Sequence, residues 1–353
     1  MQKKWLIYGA YGYTGELIAR EAKKRGMSPV LAGRSEEKLK PLGEELQLET
    51  RVFLVDSAAG NLSGITLVLH CAGPFQKTSA PMIEACLEAG AHYLDITGEI
   101  SVFQHSFAQD AKAKEAGILI CSGVGFDVIP TDCTALKLKE EMPDATSLSL
   151  GFDSDSGISP GTYKTMIQGT GSGSAERRDG KIIPVAIGSQ RRTIDFGRGT
   201  RSAMGIPWGD VSTAFHTTGI PNIQTWIPMK KANVIGARIF SPAGALIGLP
   251  PIQKRLMKWV EKRVSGPDET LRAGAPAYIW GEARNPDGVI KTVRIQTANV
   301  YDLTVYGALE VVSRLLEGDS PSGSHTPAAL FGSGLLEDLP GSGKFEVETI
   351  YPA

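Results

Sequence analysis

The sequence predicts an α/β protein: a Rossmann-type, doubly wound parallel sheet, followed by a second α+β domain on a mixed or antiparallel sheet. Three observations predict it. Short apolar runs alternate with helical stretches from residue 5 to about 133, which is the βαβ signature. A glycine-rich turn stands directly between the first run and the first helix. With 353 residues, the chain exceeds one ordinary core and suits two domains of roughly 100–200 residues each.

In chain order, the strands of the first domain are expected at Trp5–Tyr8, Pro29–Ala32, Arg51–Val55, Leu67–Cys71, His92–Asp95 and Ile118–Cys121. A helix opens after Ser35, which is of the capping type, and Glu36 and Glu37 in its first turn suit the positive helix start. After about residue 135 the rhythm changes. Strand-like runs at Thr146–Phe152, Lys181–Ile187, Thr193–Phe196, Ile223–Ile227, Tyr278–Arg284 and Thr292–Thr297 alternate with glycine-rich loops. Tyr301–Leu316 returns to helical spacing, with Leu303, Val305, Leu309, Val312 and Leu316 apolar. The expected division is 1–133 for a nucleotide-binding domain and 134–300 for a substrate and dimerisation domain. A C-terminal segment, 301–353, is expected to pack back on the first domain.

Composition excludes several function classes. Lys and Arg total 37 against 38 Asp and Glu, so the net charge of −1 leaves no basic footprint for nucleic acid. Hydrophobic residues at 42% and charged residues at 21% belong to a globular chain, not a disordered one. Cys71, Cys86, Cys121 and Cys133 are far apart and form no CxxC pair, as expected of thiols in a reducing compartment. The N-terminus lacks the apolar core of a signal peptide, so the expected location is cytoplasmic. Ile239–Gln253 is 15 residues without a charge but is broken by Pro242, Pro250 and Pro251, too short to span a bilayer. The following stretch, 252–264, sets Ile252, Leu256, Trp259 and Val260 opposite Lys254, Arg255, Lys258, Lys262 and Arg263. Such a basic amphipathic helix suits a membrane surface, although an oligomer interface or a lid is the favoured reading.

The strongest chemical signal is Gly9-Ala10-Tyr11-Gly12-Tyr13-Thr14-Gly15, between the first strand and the first helix. Glycines permit a tight turn and a close backbone approach, so that a pyrophosphate can rest on amides at a helix N-terminus. At the end of the second strand an NAD site would carry Asp or Glu for the ribose 2′-hydroxyl. Here Ala32-Gly33-Arg34-Ser35 offers no carboxylate, and Arg34 is placed to pair with a 2′-phosphate. NADP(H) is therefore the expected cofactor. Asp56 is expected near the adenine, and Ala72, Gly73 and Pro74 along the nicotinamide. The loops 95–99 and 122–127 should face the same cofactor. Asp127, Tyr163, Glu99 and His216 are the candidate proton donors, while Asp95, Asp127 and Asp132 could equally cap helices. No YxxxK pair and no metal-ligand spacing among the five histidines occurs, so no metal is expected. Gly341-Ser342-Gly343-Lys344 matches only part of a P-loop and is set aside.

Together, the Gly-Ala-x-Gly-Tyr-Thr-Gly turn, Ala32-Gly33-Arg34 and Gly125-Phe126-Asp127-Val128-Ile129-Pro130-Thr131-Asp132 resemble the saccharopine dehydrogenase-like oxidoreductases. The branch containing trans-acting enoyl reductases is the nearer one. Ser159-Pro160-Gly161-Thr162, Arg177-Arg178-Asp179-Gly180-Lys181, Pro207-Trp208-Gly209-Asp210, Thr218-Gly219-Ile220-Pro221-Asn222 and Thr326-Pro327-Ala328-Ala329 extend the resemblance along the chain. It implies an NADP-binding Rossmann domain and hydride transfer to an activated C=C or C=N bond. The apolar, glycine-rich stretch 232–251 speaks for an acyl or lipid-like substrate. A saccharopine-type imine reductase would need clustered arginines for a dicarboxylate, which Arg177, Arg178, Arg191, Arg192, Arg198 and Arg201 could supply. A non-catalytic, membrane-associated NADP(H)-binding adaptor is the alternative outside enzymology. By analogy the chain is expected to form a homodimer through the sheet of the second domain.

Overall fold

A computed structural model describes residues 3–156, 173–229, 274–318 and 320–352, with isolated residues between 252 and 259. The chain divides into two compact units: 1–127 with 304–327, and 128–303 with 328–353.

In the first unit the strands are β1 (Trp5–Tyr8), β2 (Val30–Gly33), β3 (Thr50–Val52), β4 (Leu67–His70), β5 (His92–Asp95), β6 (Leu119–Cys121) and β15 (Gly323–Ser324). They form one parallel sheet in the order β15-β6-β5-β4-β1-β2-β3. Every residue of β1, β2 and β4 is buried, as a strand covered on both faces by helices requires. The connecting helices are α1 (Tyr13–Lys24), α2 (Glu36–Leu46), α3 (Phe75–Ala89), α4 (Ile100–Ala108) and α5 (Asp110–Glu115). Leu6, Tyr8, Val30, Val68, Ile83 and Tyr93 belong to one core cluster that joins the sheet to its helices. Ser35 takes the N-cap position of α2 in an extended conformation but makes no side-chain capping bond. The strand order reverses between β1 and β4, so the carboxyl ends of these two strands open a crevice.

The second unit holds a nine-stranded mixed sheet. Its main path is β10 (Arg191–Asp195), β11 (Thr200–Gly205), β12 (Asn222–Pro228), β7 (Ser147–Ser154), β13 (Ala277–Arg284), β14 (Ile290–Thr297) and β16 (Glu346–Ile350). β8 (Ser174–Arg178) joins β12 and also pairs with β9 (Lys181–Val185). Only β12 and β7 run parallel; the other pairs are antiparallel. Helices α6 (Ile129–Glu141) and α7 (Asp210–Thr218) contribute Ala135, Leu138 and Ala214 to a core with Leu148, Leu150, Ile223 and Val293. A Cβ on Gly281 of β13 would stand 2.6 Å from Thr134 and 2.7 Å from Leu138, so glycine is what lets α6 lie close to the sheet. α9 (Pro327–Phe331) begins at the boundary between the units and α10 (Leu335–Asp338) precedes β16.

The six expected strands of the first sheet are present, β1 and β5 at the expected bounds and the others with ends moved by at most three residues, and β15 adds a seventh. In the second sheet β8, β11 and β16 were not expected. The segment 301–353 does not return as one piece: α8 (Val300–Glu317) and β15 lie in or adjoin the first unit, whereas 328–353 belongs to the second. Asp132 lies inside α6, where its carboxylate accepts bonds from the Thr217 hydroxyl (2.6 Å) and the Ala328 amide (3.2 Å).

Candidate functional site

The turn after β1 depends on three glycines for three different reasons. Gly9 has φ +85°, a conformation that side chains disfavour, and a Cβ there would stand 2.8 Å from Ala72 in the loop after β4. A Cβ on Gly15 would collide with the Gly9 carbonyl, and Gly12 is the N-cap of α1. The amides of Gly9 and Ala10 both donate to Ala32 O, at 2.8 and 3.1 Å, tying the turn to the end of β2. No side chain caps α1, so its positive end is directed to the crevice and fits an anionic ligand. Glu16, the acid of its first turn, is held by Arg20 at 2.8 Å.

At the end of β2, a Cβ on Gly33 would stand 2.5 Å from the Tyr11 ring, so Tyr11 lies over Gly33. Arg34 is exposed and makes no ion pair with any described residue. Asp56 is exposed in the first of two 3₁₀ turns after β3. These residues surround Tyr8, whose hydroxyl is pushed up to about 12 by burial and by Tyr11, with Arg34 acting against and Asp56 adding to the rise. Tyr8 donates to Phe53 O at 3.2 Å and stacks on the His70 ring. The expected cofactor residues Tyr11, Arg34 and Asp56 are thus brought together, whereas Ser35 only starts α2. Tyr8 was missed because it reads as an ordinary core residue of a buried strand.

The loops after β4, β5 and β6 are fastened to one another. Cys71 N donates to Tyr8 O at 2.7 Å, setting Ala72, Gly73 and Pro74 beside the glycine turn. His70 Nε2 lies 3.1 Å from Ala72 O and 3.0 Å from the Thr78 hydroxyl, and burial pushes its acid constant down to about 4, so the ring is neutral. Asp95 is fully buried and accepts from Tyr93 Oη (2.8 Å), Thr97 N (3.1 Å) and Gly123 N (2.8 Å). It therefore binds the loops after β5 and β6 together. Glu99 accepts from Phe75 N (3.3 Å) and Gln76 N (3.1 Å) at the start of α3. Asp127 packs against Gly98, where a Cβ would stand 2.9 Å from its carboxylate. Burial first, and Glu99 second, push the Asp127 carboxyl from its usual 3.8 up to about 7. Phe126 N donates to the Thr304 hydroxyl at 3.1 Å, a partner far away in sequence that no local pattern reveals.

In the second unit, the arginines form no open cluster. Arg177 donates to Val211 O and Gly180 O, at 2.7 and 2.6 Å, and stacks on Phe215. Arg178 is bound to Glu176, and Arg192 to Glu282 at 2.7 Å. Arg198 grips Asp153 and Asp155, and Arg201 also reaches Asp153. Of the six, only Arg191 is exposed and without a partner among the described residues. His216 is exposed on α7, its acid constant lowered by partial desolvation of the ring and by Arg177. Tyr163, the motif 159–162, the apolar stretches 232–251 and 239–253 and most of 252–264 lie outside the described residues. Among the described residues no group of His, Cys, Asp and Glu is arranged to hold a metal, and no helix is long and apolar enough to cross a membrane.

Residues 5–121 match the family model described as the saccharopine dehydrogenase NADP-binding domain. The chain is 30% identical over 219 residues to a saccharopine dehydrogenase-like oxidoreductase of Rattus norvegicus, covering 52% of this chain and 51% of that protein. A trans-acting enoyl reductase of Mycobacterium bovis is 30% identical over 155 residues, 40% of this chain and 37% of that protein. The chain spans about half the length of the curated relatives it matches. Among solved structures, saccharopine dehydrogenase (L-Glu forming) of Saccharomyces cerevisiae superposes with a TM-score of 0.67 over 99% of this chain and 100% of that one. Its 11% identity makes that a likeness of fold. The open cradle at Gly9–Gly15 and the open Arg34 fit NADP(H), and residues 5–121 match the saccharopine dehydrogenase NADP-binding domain, in a chain similar to the saccharopine dehydrogenase-like oxidoreductases.

Proposed function

We propose that the chain is an NADP(H)-dependent oxidoreductase that reduces an activated C=C or C=N bond in an acyl, lipid-like or small metabolite substrate. The observation that carries the cofactor half is Arg34: it stands at the end of β2, exposed, with no carboxylate partner among the described residues and none in the 32–35 turn. When bound, the nicotinamide supplies the hydride. The chain's own residues bind the pyrophosphate on the α1 amides, hold the dinucleotide along the Ala72–Pro74 loop and deliver a proton. Asp127 is the proton donor in this reading, because it retains a proton near neutrality at the carboxyl end of β6. Against the dicarboxylate-binding alternative stands the engagement of five of its six arginines within the second unit. Four free cysteines, three of them buried, support a reducing, cytoplasmic location, and a homodimer completes the proposal.

The first experiment is titration of the protein with NADPH and NADH, followed by nicotinamide fluorescence. Tight binding selective for NADPH is the expected result; binding of neither nucleotide would remove the enzyme reading. The Asp127 assignment is tested by pH. Its carboxyl is protonated in the folded chain up to about pH 7, whereas in the unfolded chain it ionises near 3.8. The unfolded state therefore releases this proton first, and the contribution to stability is present below pH 3.8 and lost as pH rises to 7. Asp127→Asn should flatten that decline, and should abolish the fall in turnover above about pH 7 along with most of the turnover itself.

A further inference from the structure

Glu99 stands at a junction of chain segments. Its backbone starts α4: the amides of Val102 and Phe103 donate to its carbonyl at 3.0 and 3.2 Å. Its side chain serves a different helix. The N-cap of α3 is Pro74, which has no side-chain donor or acceptor, and the first amides of that helix turn instead to the Glu99 carboxylate. A helix N-terminus favours an anion, and here the anion comes from a loop more than twenty residues further along the chain. Glu99 is 6% exposed, so its charge is poorly screened. The next residue back, Gly98, is the one against which Asp127 packs.

We propose that Glu99 is a positioning residue of the site: one buried carboxylate that pins the loop after β4 to the loop after β5 and, through its charge, governs the proton held at Asp127. This rests on the oxidoreductase reading above for its meaning in catalysis. The titratable groups at the carboxyl ends of β4, β5 and β6 are His70, Cys71, Tyr93, Asp95, Glu99, Cys121 and Asp127. His70 is neutral, and burial holds the Cys71 thiol and the Tyr93 hydroxyl protonated. Asp95 has its carboxylate enclosed by Tyr93, Thr97 and Gly123. Glu99 is the charge that acts on Asp127. A cap without a charge would hold α3 less firmly and would leave Asp127 closer to an ordinary carboxyl.

The two roles separate by substitution. Glu99→Gln removes the charge and keeps one oxygen acceptor for the α3 amides, the other becoming an NH2 donor, whereas Glu99→Ala removes the charge and both acceptors. The Asp127 midpoint is read from the carboxyl carbon resonances of aspartate-labelled protein, the signal being assigned by its loss in Asp127→Asn. In Glu99→Gln the midpoint should fall by roughly one pH unit. In Glu99→Ala amide exchange at Phe75 and Gln76 should quicken by roughly tenfold, with Glu99→Gln restoring protection only at the one amide its remaining oxygen accepts from. An unchanged midpoint in Glu99→Gln overturns the electrostatic role, and unchanged exchange in Glu99→Ala overturns the pinning role. These measurements use the protein without nucleotide. Failure of the unmodified protein to bind NADPH would sink the oxidoreductase reading and leave the Glu99 results standing.

Discussion

Five arginines of the second unit and Arg34 of the first are used in opposite ways. In the second, Arg177, Arg178, Arg192, Arg198 and Arg201 are all committed to carboxylates or carbonyls of the same unit. In the first, Arg34 stands open at the end of β2, and α1 begins without a side-chain cap. A cation with its partner built in holds a sheet together, whereas one without a partner is available to a ligand. Counting arginines therefore locates a binding site only after their partners are known.

Three substitutions sharpen or break that contrast. Arg198→Ala strips the buried Asp153 of its two-point partner and should cost about 3 kcal/mol of stability, read by denaturant unfolding. NADPH affinity should stay as it is; a parallel loss of affinity would break the contrast. Arg34→Ala should leave stability unchanged and weaken NADPH binding by about 2 kcal/mol, roughly thirtyfold, with little change for NADH. Equal losses for the two nucleotides would remove the 2′-phosphate role. Gly33→Ala displaces the Tyr11 ring from the floor beside Arg34 and should weaken NADPH binding by about 1 kcal/mol, roughly fivefold. Calorimetric titration resolves the last two. Acid adds a check on the rigid part of the first site. His70 binds a proton near 6.5 when unfolded and only near 4 when folded. Its contribution is present above 6.5 and is lost as pH falls toward 4, by up to about 3 kcal/mol, a trend that His70→Asn should remove.

Legibility in the sequence followed the range of each interaction. β1, β2 and β4 are continuous apolar runs, and each announces itself locally. β15 is two residues, Gly323 and Ser324, and exists only because β6 offers it an edge. β8 and β11 are largely polar and become strands through their partners β9, β10 and β12. The glycine turn was readable because the needs of Gly9 and Gly15 lie within a few residues, apart from the approach of Ala72 to Gly9. The fate of the arginines was not, since Arg192 meets Glu282, 90 positions away. Asp127 and Glu99 were recognisable as acids in the loops after β6 and β5. That Glu99 caps a helix preceding it, and that the two acids bear on each other, needed three dimensions.

The first unit is drawn from two separate stretches, 1–127 and 304–327. During synthesis the ribosome makes six strands of its sheet early, then the greater part of another unit, and only then the residues that complete it. Until 327 has left the exit tunnel, β6 remains an unpaired edge and Phe126 lacks the hydroxyl of Thr304. A truncated nascent chain therefore carries the whole glycine turn and Arg34 on an unfinished sheet, exposed to edge-to-edge association. Translational pausing ahead of residue 304 prolongs that interval, and the yield of native protein becomes a matter of timing as well as of sequence.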